Sequence, residues 1–434
     1  MQGMTLCHGS DAPWPPEREK PVKIQSGCCI EMNLGVLCRW TERQSVLPRR
    51  LAAAILAIAL VLGNAALAQS LQAVEPASKR PKSIAVSEFS RLVQEFSEEG
   101  GYFRADNFTS NETAYLHVVG ELRKLGVSGG AYVGVGPEQN FTYIAKIRPG
   151  IAFIVDIRRQ AIIQHLFYKA LFHLAPDRAR FLSLLFSKPL SSGGSEAVGS
   201  LEALLDYISS APTTRDLFIA NLARVRKTIE EAFQLPLSPD DVESLEYIYF
   251  FFWRANLRIA YGYGFASLRD LILATDLEGK RGNFLAEEAD YQFVRELQEQ
   301  NRVIPVVGDF AGGKALAAVA GYLRQNGYTT SAFYTSNVEE YLYQDGAFGR
   351  FAENVGKFPI SDRSVFIRSL RPGWADSHPA NTRGDSRMSI LEKISIFLRD
   401  YKQGAYPNYW KLVTTHYIVP TVSPRKPANP PAWR

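Results

Sequence analysis

The chain of 434 residues has four cysteines, Cys7, Cys28, Cys29 and Cys38, and none after residue 38. Everything downstream of them is therefore without disulfides, thiolate metal sites or a cysteine nucleophile. Histidine is scarce as well, with six in all. His165 and His173 stand eight apart on one helical stretch, too far for joint ligation, and there is no HExxH pattern. No structural zinc or other metal site is expected. A GxSxG elbow is missing, which argues against a serine hydrolase of that kind. So is a charge bias: 49 Lys+Arg against 44 Asp+Glu give a formal +5. A balance this close to neutral gives no footing for nucleic acid. The apolar run over 51–62 spans about 12 residues, short of the roughly 20 that an ordinary spanning helix needs.

That short run has another meaning. Arg49 and Arg50 precede it, and Ala66-Leu67-Ala68 follows it. A positive flank, a short apolar core and a small-residue end describe a cleaved secretory signal. The expectation is an exported, periplasmic protein with no stable membrane span after cleavage, or a cytoplasmic one if the signal does not act. The Arg49-Arg50 pair matches a twin-arginine signal poorly, because Pro48 precedes it and small alanines follow. Met32 offers an alternative start. Residues 1–68 thus read as an N-terminal extension with signal, and 69–86 as a linker rich in Pro and Lys. Residues 419–434, with five prolines, read as a tail. Without residues 1–68, the remaining 366 residues carry 42 basic against 39 acidic side chains.

Between linker and tail, residues 87–418 read as one folded body. Helical periodicity runs over 87–97 and 112–125, the latter with Ser110 or Asn111 as its cap. A strand at 131–135, a helix at 139–147 and a strand at 151–156 make a βαβ unit. From 161 to 300 the pattern is helical, interrupted by a small-residue loop at 191–195. Strands return at 302–307 and 330–335, with a helix at 313–325 between them. Further elements are a short helix ending at Tyr343, a strand at 363–369, a helix at 386–401 and a last strand at 410–419. The expected fold is α/β, a Rossmann-like and mostly parallel sheet with a large helical insertion (161–300) after its second strand.

The βαβ unit carries the chemistry. Gly134-Val135-Gly136 ends its first strand, and Asp156 ends its second, 20 positions after Gly136. Glycines let a ligand approach the backbone, the following helix directs N–H groups at it, and an acid at that spacing can hold ribose hydroxyls. Gln139 stands where a dinucleotide fingerprint needs Gly or Ala, which disfavours an NAD enzyme. Gly308-Asp309 and Ser336-Asn337 close later strands, where open α/β sheets bind ligands. Tyr102, Phe103, Arg104, Asp106, Asn107, Ser110, Asn111 and Glu112 crowd the segment before the βαβ unit. They read either as helix capping with a local ion pair, or as a polar lid. In the lid, Tyr102 and Phe103 stack on a flat ligand and Arg104 grips an anion. Arg158-Arg159 read as a solvated helix start or an anion site. The aromatic run 247–253 reads as core. No catalytic residue is identifiable.

At these positions the chain resembles class I S-adenosylmethionine-dependent methyltransferases. The resemblance implies that Gly134 and Gly136 cradle the amino-acid part of the cofactor, that Asp156 holds the ribose and that Asp309 reaches the adenine. Tyr132 stands where that family usually carries an acid, and Glu138 where a third glycine is common. The segment GYFRADNFTSNE (101–112), with VGVGPEQN (133–140) and VDIRR (155–159), is also similar to the signature of an uncharacterised bacterial family. That likeness implies methyltransferase-like architecture and no particular activity. Two functions follow as expectations. One is an S-adenosylmethionine-binding methyltransferase with Tyr102, Arg104, Asp106, Asn107, Asn111, Ser336 and Asn337 around its substrate. The other is an exported, non-catalytic protein that binds another small molecule in the same cleft. Export conflicts with the first, because S-adenosylmethionine is made in the cytoplasm.

Overall fold

The computed structural model describes residues 83–190, 200–381 and 387–420. The expected signal, the cysteines, most of the expected linker, the 191–195 stretch and nearly all of the proline-rich 419–434 stretch lie outside them. Six strands form one sheet: β1 Ala131–Gly134, β2 Ile151–Asp156, β3 Val303–Val307, β4 Thr330–Ser336, β5 Val365–Leu370 and β6 Met388–Lys393. Their spatial order is β3-β2-β1-β4-β5-β6. The first five are parallel, and β6 runs antiparallel to β5 along one edge. Every residue of β1, β2 and β3 is buried. These strands are therefore continuous apolar runs, the pattern of a parallel sheet covered on both faces.

Helices α1 Val86–Phe96, α2 Val119–Lys124 and α3 Gln139–Ile147 precede β2. Helix α3 ends where Arg148 turns left-handed (φ 55°), its N–H bonding the Ile144 carbonyl at 2.9 Å. Between β2 and β3 the chain is helical: α4 Arg159–Leu174, α5 Arg178–Leu185, α6 Leu201–Ser210, α7 Arg215–Lys227, α8 Pro239–Ala255, α9 Leu268–Leu273 and α10 Glu288–Glu299. Helix α4 is buried over most of its surface and packs against α8, α10 and β3. Ser238 and Asp241 form a capping box at the start of α8, with Pro239 in its first turn. Asp241 also takes the Arg159 guanidinium at 2.9 and 3.0 Å, joining the starts of α4 and α8 just beyond the end of β2. After β3 come α11 Ala315–Gln325, α12 Val338–Gln344, α13 Phe348–Val355, α14 Trp374–Ser377, α15 Ile394–Lys402 and α16 Tyr409–Thr414. Among the described residues no helix is long and apolar enough to cross a membrane.

The structure differs from sequence expectation in three stretches. The helix expected over 112–125 forms only from Val119; before it, His117 and Val119 donate to Ala114 and Leu116, three residues back, in tight turns. Ser110 does not cap that helix. Its hydroxyl accepts the Glu112 N–H at 3.1 Å in a local turn, while the Tyr115 hydroxyl is drawn to the Leu271 carbonyl at 2.7 Å. The helix expected over 386–401 divides into β6 and α15. Pairing with β5 over 365–370 and the buried Arg368–Glu392 ion pair outweigh local periodicity there. The last strand expected over 410–419 is mostly α16, capped by the Asn408 side chain on the Lys411 N–H at 3.0 Å. Only Ile418 pairs with the sheet, in a single bridge to Leu391. Helices α13 and α14 have no counterpart in the sequence reading, whereas α6 and α9 fall within the stretch read as helical.

Candidate functional site

The strand order reverses between β1 and β4, and a cleft of about 480 Å³ opens beyond the carboxyl ends of the strands there. Its lining comes from the ends of β1, β2, β3 and β4 and from the segment 102–112. Of the sequence-predicted residues, Gly136, Asp156, Asp309, Tyr102, Arg104, Asn107, Asn111, Ser336 and Asn337 all line it. Gly134 and Asp106 do not.

The turn after β1 explains the difference between its two glycines. Gly136 takes φ +79°, and a Cβ there would approach only Asn107 Nδ2, at 3.8 Å, so the position is both left-handed and open. A Cβ on Gly134 would lie 2.0 Å from Asn140 Oδ1 and 2.7 Å from the Tyr132 ring. Gly134 thus makes room for a side chain rather than for a ligand. That side chain organises the turn. Asn140 Nδ2 donates to the carbonyls of Val135, Gly136 and Pro137 at 2.9, 3.1 and 2.8 Å. Its Oδ1 accepts the Tyr132 hydroxyl at 2.9 Å. His165 on α4 adds a bond from Nε2 to the Gly136 carbonyl at 2.8 Å. Burial drives its imidazole down to about 4, so it donates to that carbonyl as a neutral ring.

Asp156 does not stand free at the end of β2. Its Oδ1 accepts the Arg158 N–H and Nε at 3.0 and 3.1 Å, and its Oδ2 accepts Arg158 Nη2 at 3.0 Å. Arg158 reaches on through Nη1 to the carbonyls of Ala105 (3.2 Å) and Asp106. It is therefore neither a solvated helix start nor an open anion site, but a clamp between β2 and the segment over the cleft. That segment is pinned elsewhere too. Asp106 Oδ2 accepts the Tyr247 hydroxyl of α8 at 3.0 Å. Phe108 packs on Tyr247 and Phe251, and Phe103 meets Tyr341 edge-on at 5.5 Å. Asn107 holds φ +52°. Tyr102 is 86% exposed at the mouth, and Arg104 is exposed beside it.

Beyond β3, Asp309 Oδ1 accepts the Ala311 N–H at 2.9 Å, and Oδ2 has no hydrogen-bond partner among the described residues. Beyond β4, Ser336 is also left-handed, at φ +52°. Neither Ser336 nor Asn337 makes a side-chain cap to α12. Instead the Ser336 hydroxyl turns to Glu112 Oε1 at 2.5 Å, where the Tyr334 hydroxyl also arrives at 2.7 Å.

Sequence reasoning has Glu112 only as a member of the polar segment, as helix start or lid, and the structure gives it a place of its own. It lines the cleft and is otherwise buried. Its Oε2 accepts Gln139 Nε2 at 2.7 Å. Gln139, at the position that argued against a dinucleotide, also donates to the Tyr334 hydroxyl at 3.2 Å and accepts from Ser110 Oγ. Glu138 next to it accepts the Ser110 N–H at 3.1 Å through Oε1, and its Oε2 has no partner. Burial pushes the Glu112 carboxyl up despite the donors from Ser336, Tyr334 and Gln139. It pushes Glu138 up to about 7. The signal in the sequence was Glu112 itself, the last residue of the polar segment, but it was read as the start of a helix. Among the described residues no group of three His, Cys, Asp or Glu side chains could hold a metal ion.

A family model matches residues 107–413, more than half of the chain. The chain belongs to that family, described as a domain of unknown function, DUF7790. The matched range of DUF7790 takes in Asn107, Glu112, the β1 turn, Asp156, Asp309 and Ser336, while Tyr102, Arg104 and Asp106 precede it. No curated protein matches the chain.

Proposed function

We propose that the cleft binds S-adenosylmethionine and that the protein is a methyltransferase of the Rossmann-like class, with the helices between β2 and β3 as an insertion. One observation carries the reading. The cleft lies where the strand order turns back, between β1 and β4, and Gly136, Asp156 and Asp309 edge it from three successive strand ends. Ligands of open α/β sheets bind at such a reversal.

The residues fit a nucleoside. Asp156 Oδ1 is filled by two Arg158 donors, but Oδ2 has one and can accept a ribose hydroxyl. Asp309 Oδ2 is open to a donor on an adenine-like ring. The cofactor would supply an electrophilic methyl group. What the chain contributes is position: the Asn140-braced turn and Asp156 fix one half of the cleft, and Ser336, Asn337 and Tyr341 face the other. Methyl transfer asks mainly for proximity and alignment, so it needs no catalytic triad.

Calorimetric titration of the full chain with S-adenosylhomocysteine, with NAD as the comparison ligand, tests this. Micromolar binding that weakens at least about tenfold in Asp156→Asn, with NAD inert, is the expected result. A folded sample that binds no S-adenosylhomocysteine ends the methyltransferase reading. It would leave a cleft for another small molecule, the function expected of an exported binding protein.

A further inference from the structure

Nine carboxylates are buried among the described residues, and seven of them bond an arginine or lysine. They range from Asp156 with Arg158 to the Arg368 guanidinium shared by Glu339 and Glu392. The two exceptions are Glu112 and Glu138, and they meet in one place. Gln139 donates to Glu112 and accepts from Ser110, whose N–H is bonded to Glu138. Every donor to Glu112 is a neutral hydroxyl or amide. Arg387 is within electrostatic reach, but its guanidinium lies over the Phe265 ring at 4.9 Å and makes no bond to the carboxylate.

A buried carboxylate without a cation is what a protein interior avoids. Elsewhere among the described residues the protein avoids it. Of the two exceptions Glu112 lines the cleft, and Tyr261, Tyr341 and Phe103 line it as well. A buried carboxyl on the floor, which a cation beside it would hold ionised, and aromatic rings on the walls suit an organic cation. We propose that Glu112 anchors a primary ammonium group of the small molecule that occupies the cleft.

This assignment rests on the cleft being the ligand site, not on which cofactor fills it. In the methyltransferase reading the group is the α-ammonium of the methionine part. Glu112 then supplies, from a separate segment, the carboxylate that Tyr132 does not offer ahead of the glycine turn.

The test compares S-adenosylhomocysteine with its analogue lacking the α-amino group, by calorimetry on the full chain and on Glu112→Gln. Wild type should prefer the amine by at least about tenfold, the scale of a charge-assisted hydrogen bond, and the variant should bind the two within about twofold. Equal binding by wild type overturns the assignment whether or not the variant folds. So does a folded variant that keeps the preference. In parallel, benzylamine and benzyl alcohol are compared by thermal shift on both proteins. If S-adenosylhomocysteine does not bind at all, the cofactor reading fails and this pair decides the anchor. Stabilisation by the amine alone, lost in Glu112→Gln, supports it; equal effects of amine and alcohol refute it.

Discussion

Glu138→Gln should make the protein more stable in alkaline than in acidic solution, relative to wild type. The Glu138 side chain is 5% exposed; one oxygen accepts a backbone N–H and the other has no partner. Burial raises its carboxyl from 4.5 to about 7. Between those values the folded chain holds a proton that the unfolded chain has lost. Stability therefore falls as pH rises through the window and levels off above it. From near pH 5 to near pH 8 the loss is about 2.5 kcal/mol. Glutamine keeps the shape and the acceptor for Ser110 but does not titrate. His165, driven down to about 4, and Lys169, driven down to about 7, titrate in both proteins and cancel in the comparison. Urea unfolding of wild type and variant at the two pH values gives the double difference. The variant's relative stability should rise by about 2.5 kcal/mol from the acidic to the alkaline condition. A double difference near zero would mean that Glu138 ionises like an exposed carboxyl and that its surroundings beside Ser110 are hydrated. Burial without a counter-charge would then not be what sets this carboxyl's ionisation.

Two further substitutions separate the roles of neighbouring residues. Gly134→Ala drives a methyl group into Asn140 and the Tyr132 ring and should cost about 3 kcal/mol in denaturant unfolding; a loss below about 0.5 kcal/mol would contradict the packing role. Arg158→Lys keeps a charge beside Asp156, but an ammonium cannot span both the carboxylate and the Ala105 and Asp106 carbonyls. It should speed limited proteolysis within 101–107 and weaken S-adenosylhomocysteine binding several-fold; unchanged cleavage would show that Tyr247, Phe108 and Phe103 hold the segment without it.

The sheet was legible where its strands are apolar runs. Residues 131–134, 151–156 and 303–307 could hardly be anything else, and their ends carried Gly136, Asp156 and Asp309 to the cleft with them. The reading failed where a local pattern competes with a distant partner. Met388–Lys393 has helical company on its carboxyl side, and only the six residues of β5 opposite it and the Arg368 guanidinium make it a strand. The 410–419 stretch has strand-like composition, but the Asn408 cap ahead of it turns the chain into a helix first.

The same competition explains why the acidic floor of the cleft was hidden. Glu112, Gln139, Tyr334 and Ser336 are up to 224 positions apart, and no spacing rule joins them. Each has an ordinary local meaning: a first-turn acid, a helical glutamine, a strand tyrosine and a serine ahead of a helix. Only the tight turns over 114–119 move Glu112 off the helix and against the end of β4. Gln139 follows the same logic. Glycine at its position would let a helix pack closely under a pyrophosphate; the glutamine instead fills that space with an amide bonded to Glu112, Tyr334 and Ser110. The departure from the dinucleotide pattern and the buried acid are thus one feature. A turn that gives up the third small residue gains a donor that holds a carboxyl group in the cleft. The chemistry of this cleft is then set as much by what replaces the glycine as by the two glycines that remain.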